Sequence, residues 1–182
     1  MFRTTAAAAL ALGLSTPVLA QTAPAMAPSA AMPAAAMPAA GLTELDRQFM
    51  ILDAQGGIYE SSLAALAQEK SSRGDIKSYA AMLLRDHAEY NGALQALAQA
   101  KGIALPMAMS ADDRTRLNGI NLQGGSTFDR SFILEATRIN EEDKKAAQGE
   151  AAATNDPDIK AFLQKYAAMD ARHEQAARML AM

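Results

Sequence analysis

The chain contains no cysteine and no tryptophan. The first absence excludes a disulfide framework, a thiol nucleophile, a cysteine metal site and a lipid-modified cysteine behind a signal. An oxidising compartment is permitted without being demanded. Aromatics are sparse, with four Tyr and five Phe, and the formal charge is −3. Lys and Arg alternate with Asp and Glu along every segment, so no basic stripe exists for phosphates and few rings for base stacking. Nucleic acid is therefore not an expected partner. No alternating strand pattern of useful length occurs. A Gly-x-Ser-x-Gly elbow and an oxyanion loop are likewise missing, which argues against a serine hydrolase and leaves no catalytic residue to assign.

What is present divides into three parts. Residues 1–20 have the layout of a signal peptide: Arg3 at the start, an apolar run from Ala6 to Leu14, and Val18-Leu19-Ala20 as a small-residue exit. The run is about half of the roughly 20 residues that cross a bilayer. Cleavage after Ala20 is expected to release the protein to the periplasm or the exterior with no transmembrane anchor. Arg3 is the only charge removed, so the net charge goes from −3 to −4. Residues 21–42 hold ten Ala, four Pro, three Met and no charge. Prolines that recur so often cannot maintain a helix, and the segment reads as a disordered tether. Met26, Met32 and Met37 would suit a soft copper site; a low-complexity spacer is the plainer reading.

Residues 43–182 form the third part, sized for one domain. Only Pro106 and Pro157 occur in it, both where a helix would start or stop. Thr43 and Asp46 resemble a capping box. Leu45, Phe49, Leu52, Gly56, Tyr59, Leu63 and Leu66 then recur at helical steps to about Lys70. Ser72 and Asp75 repeat the capping pattern before Ile76, Tyr79, Leu83, His87, Tyr90, Leu94 and Leu97, with a stop at Gly102. A third long helix starts near Ser126 and carries Phe128, Phe132, Ala136, Ile139, Ala146 and Ala147. Its charged middle, Glu141 to Lys145, reads as a partly exposed face. Asp156 and Pro157 open the last helix, with Ile159, Phe162, Tyr166, Met169, His173, Ala176 and Leu180 in register. Short links join the first and second helices and the third and fourth. Between the two pairs lie residues 102–125, in which Ser110 to Asn121 forms a short helix capped by Ser110 and Asp113. The pattern predicts an all-α, antiparallel four-helix bundle with the long crossover of ferritin-like connectivity. Gly56-Gly57 inside the first helix implies close approach by a neighbour, since each glycine costs about 1 kcal/mol there relative to alanine.

Polar residues on the apolar stripes supply the candidate site. Both histidines of the chain, His87 and His173, occupy positions where an apolar side chain is expected. A buried imidazole needs partners for its nitrogens. Glu60 is similarly placed, and Asp170 precedes His173 by the three residues that turn both toward one point. Coming from three helices near mid-length, these residues can share one layer.

Glu60, Asp86-His87, Phe128-Asp129 and His173 carry a resemblance to the ferritin-like domain of unknown function 4142 of exported bacterial proteins, over residues 44–180 or so. It implies a four-helix bundle in which a histidine from each of the second, third and fourth long helices faces inward beside the first helix's glutamate. Here the third-helix position is Asn140. Two readings follow. In one, Glu60, His87, Asp170 and His173 bind a single zinc or iron, with Asn140 as hydrogen-bonding neighbour. A di-iron centre is undersupplied, because Leu84 stands where a Glu-x-x-His pair would place its glutamate. In the other, preferred on sequence alone, Glu60 accepts hydrogen bonds from His87, His173 or Asn140, and the layer fixes helix register in a structural or stress-related module of the cell envelope. The sequence names no protein partner, and a homo-oligomer is compatible with it.

Overall fold

The computed structural model describes residues 41–182. The expected signal peptide and nearly all of the tether, including its methionines, lie outside the described residues. Five helices follow one another: α1 Glu44–Lys70, α2 Gly74–Ala100, α3 Ala111–Asn121, α4 Gly125–Ala153 and α5 Pro157–Leu180. There is no strand among the described residues, and no helix there is long and apolar enough to cross a membrane.

Local chemistry fixes most of the helix ends. Thr43 caps α1 through a reciprocal box: the Asp46 N–H donates to Thr43 Oγ1 at 3.1 Å and the Thr43 N–H donates to Asp46 Oδ2 at 2.6 Å. A cap of this kind contributes about 1 kcal/mol. Ser110 caps α3 by accepting the Asp113 N–H at 3.0 Å, and Asp156 accepts from the Asp158 and Ile159 N–H groups ahead of Pro157. The Lys101 ammonium donates to Asp156 at 2.7 Å and Asp158 at 2.6 Å, which pins the end of α2 to the start of α5. Gly102, at φ +67°, ends α2 with a conformation that favours glycine.

Three expectations need correction. Ser72 does not cap α2. Arg73 occupies that position without a side-chain cap, and Asp75 inside the first turn accepts the Ile76 N–H at 2.9 Å. The extended link reaches one residue further than the Ser72 pattern implied. The start of α1 is also rotated: Leu45 and Leu52 are 67% and 58% exposed, while Asp46, Met50, Ala54 and Gly57 face inward. Asp46 is fully buried, its Oδ2 held by Thr43 and its Oδ1 without a hydrogen-bond partner. Ala146 in α4 likewise lies on the exposed face.

Helix α1 packs on α2 and α4, α5 packs on α2 and α4, and the short α3 lies against α1 and α4. Pairings such as Asp53 with Tyr90 and Gln68 with Lys77 run in opposite sequence order, so α1 and α2 are antiparallel. Lys144 with Glu174 and Glu141 with Arg178 show the same for α4 and α5. The apolar core of this helical bundle falls into two clusters. One gathers Leu63, Ile76, Leu83, Phe128 and Phe132; the other gathers Met50, Leu94, Ile159, Phe162 and Met169. Between them in sequence, on every long helix, stand the buried polar residues Glu60, His87, Asn140 and His173.

Candidate functional site: an acid–histidine layer

Each long helix delivers an ionisable side chain to this layer. On α1, Asp53 and Glu60 are two turns apart and share a face. On α2, His87 and Tyr90 are separated by three residues, again one face. Asp143 on α4 and Asp170 on α5 complete the ring. Together with Gly57, Ala147 and Met169 they line a single small space of about 10 Å³. That is roughly the room one water or one ion centre requires.

The hydrogen bonding within this space is incomplete. His87 Nε2 lies 3.3 Å from Glu60 Oε2, with both side chains almost wholly buried. The contact is an ion pair by distance but not a directed hydrogen bond: Glu60 Oε2, His87 Nδ1 and His87 Nε2 all lack a hydrogen-bond partner. By contrast the Tyr90 hydroxyl donates to Asp53 Oδ2 at 2.7 Å. Gly57 allows the close packing here. A Cβ on it would lie 2.2 Å from Asn91 Oδ1, and the Asn91 amide donates to the Gly57 carbonyl at 3.3 Å. Gly56 faces open space, so only the second glycine of the pair is there for close approach.

Electrostatics divides the acids into unlike roles. Burial alone would raise the Glu60 carboxyl, yet the neighbouring His87 outweighs it and holds Glu60 below the ordinary range. His87 is driven upward in return, its burial overcome by the Glu60 charge. Burial and the Glu60 charge push Asp143 well above the usual carboxylate range. The same two causes take Asp170 to about 7 and Asp53 to about 6. The layer's carboxyl groups therefore keep their protons to higher pH than they would in water.

His173 behaves differently. Its ring centroid is 5.6 Å from that of His87, but Nε2 points to Asp86 Oδ2 at 3.0 Å, and Arg172 reaches the same oxygen at 3.0 Å. Burial lowers its pKa despite Asp86. The Tyr79 hydroxyl donates to its backbone carbonyl at 3.2 Å. Asn140 is 1% exposed and donates to the Ala136 carbonyl within α4 at 2.7 Å.

Of the predicted residues, Glu60, His87 and Asp170 line one space, while His173 packs beside His87 with its own partner and Asn140 bonds its own helix. Asp53, Asp143 and Tyr90 were not singled out from sequence. Asp53 carries a legible signal, the seven-residue spacing to Glu60. Asp143 was concealed within the charged run 141–145. Among the described residues, no three carboxylate or imidazole groups stand in a ready-made metal-ligating arrangement.

These observations define an all-helical bundle whose interior carries an acid-rich polar layer. Residues 31–180 match the family described as Domain of unknown function (DUF4142), and the chain belongs to that family. Its fold is similar to the crystal structure of a DUF305 fragment from Deinococcus radiodurans, with a TM-score of 0.69 and 15% identity over 78% of this chain and 98% of that one. At that identity the likeness concerns the fold alone. No curated protein matches the chain.

Proposed function

We propose that the chain is an exported antiparallel four-helix bundle of ferritin-like connectivity whose acid–histidine layer takes up one divalent cation, zinc or iron(II), in exchange for protons. One observation carries this reading: Glu60 Oε2 and both ring nitrogens of His87 are buried without hydrogen-bond partners beside a space of ion size that three more carboxyl groups line. Buried polar atoms normally find partners, and four acids facing one imidazole leave an excess of negative charge that only protons or a cation can neutralise. Oxygen donors with a single imidazole suit a borderline or hard divalent ion rather than copper(I). Export rests on the pattern of residues 1–20. Elemental analysis of protein purified from its own compartment without chelators tests the proposal. Stoichiometric zinc or iron in the parent, lost in a Glu60→Ala, His87→Ala double variant, is the expected result. A parent chain that stays metal-free even after incubation with either ion refutes it.

A second reading is favoured by the lack of a preassembled ligand set among the described residues. Under it the layer is a metal-free polar seam that fixes helix register. It requires identical melting curves with chelator and with added zinc.

A further inference from the structure

The ion-sized space is not sealed equally on all sides. Between α1 and α2 the wall is tight, because Asn91 packs directly on Gly57. Between α2 and α5, the His173–Asp86–Arg172 contacts hold the two helices together. The α4–α5 side is different. A recess of about 80 Å³ opens there, and it shares two lining residues, Ala147 and Asp170, with the inner space. Its other walls include the small side chains Ala151 and Ala167, and Lys144 stands at its edge. The Lys144 ammonium is held by Glu174, and its charge reaches Asp170.

We infer that the α4–α5 recess is the entry route of the cation-binding layer, in which Asp170 takes the ion from the recess and passes it inward while Lys144 sets the rate of passage. The inference rests on the cation reading above. A hydrated ion sheds its waters one at a time, and a carboxylate that lines both spaces supplies the first replacing oxygen. Lys144 places one positive charge on that path, which disfavours a cation's approach. Glu174 restrains the lysine and keeps it from closing on Asp170.

Stopped-flow kinetics with the full chain and Zn²⁺ decides the matter, following uptake with a fluorescent zinc indicator and release with excess chelator. Ala151→Leu narrows the recess at a residue that does not line the inner space. It is expected to slow uptake and release together by about tenfold or more, corresponding to a barrier increase near 1.4 kcal/mol, with Kd unchanged. Lys144→Gln, at a partly exposed site, is expected to bind zinc several-fold faster, with the gain shrinking as salt rises. Parent rates in both Ala151→Leu and Lys144→Gln would overturn the route while leaving the binding site intact. A parent protein that binds no zinc removes the cation reading itself, and the route with it.

Discussion

His87 and His173 lie in one layer with their rings 5.6 Å apart, and both are almost entirely buried. They nevertheless occupy unlike environments. His173 is tied to Asp86, a carboxylate that also answers to Arg172 and Arg85 near the surface. His87 faces Glu60, which has no other cation in contact, and neither side chain completes a hydrogen bond to the other. His173 has Nε2 bonded to Asp86 and only Nδ1 without a partner, as suits a histidine held by packing. One with neither ring nitrogen bonded, as His87 is beside an ion-sized space and several acids, is set up to accept something more. Burial on a helix stripe, which both residues share, does not separate these cases; the partner does.

The sharpest way to break this comparison is to replace each ring by an apolar one. His87→Leu leaves the Glu60 charge buried and uncompensated, a situation that costs about 3–5 kcal/mol. His173→Leu leaves Asp86 with its arginines and partial access to solvent, so a loss of about 1–2 kcal/mol is expected. Chemical denaturation of the two variants in chelator measures the difference. Adding Glu60→Gln to His87→Leu should recover much of the first loss, and failure to do so would mean that Glu60 is not the group left stranded.

Acid–base linkage separates the two sides next. Asp170 and Asp53, raised to about 7 and about 6, hold protons more tightly folded than unfolded. Their stabilising contribution is complete below the ordinary carboxylate range near pH 4 and is lost as pH rises through those values. Asp143 and His87, also raised, act in the same direction. Glu60 and His173, both lowered, act oppositely, gaining with rising pH. The ion-free protein should therefore lose stability between about pH 5 and 8 on the His87 side. Asp170→Asn should flatten the fall in denaturation midpoint, whereas Asp86→Asn should not. Zinc should reverse the trend, since it competes best when the protons have left.

The smallest effect concerns the wall beside His87. Gly57→Ala drives a methyl into the Asn91 side-chain amide, which must swing aside, and should destabilise by about 1 kcal/mol. Gly56→Ala meets nothing within 4 Å and should stabilise by up to about 1 kcal/mol. Thermal melts of the two single variants give the comparison directly.

Much of the helix layout was legible in the sequence because its signals are local. Thr43 with Asp46, Ser110, Gly102 and Asp156-Pro157 mark ends through bonds made within a few residues, and the stripe of α2 is buried almost as its spacing predicts. What failed depended on distant partners. Leu45 and Leu52 lie outward because the face of α1 that meets the other helices is that of Asp46, Met50 and Ala54, which no local pattern announces. The site was legible only in part. Glu60, His87 and Asp170 stand out as polar residues in apolar surroundings. Asp143 does not, because a carboxylate within a charged run reads as solvated until the neighbouring helix covers it. Only the final rotation of α5 aims His173 at Asp86 rather than into the ion-sized space.

Calorimetric titration of the full chain with Zn²⁺ at pH 6.5, repeated in two buffers of different ionisation enthalpy, addresses the exchange of protons for a cation most directly. A saturable event for a single ion, with net proton release that disappears in Glu60→Ala and persists in His173→Ala, is the predicted result. Zinc binding that releases no protons, or that survives unchanged without Glu60, contradicts it.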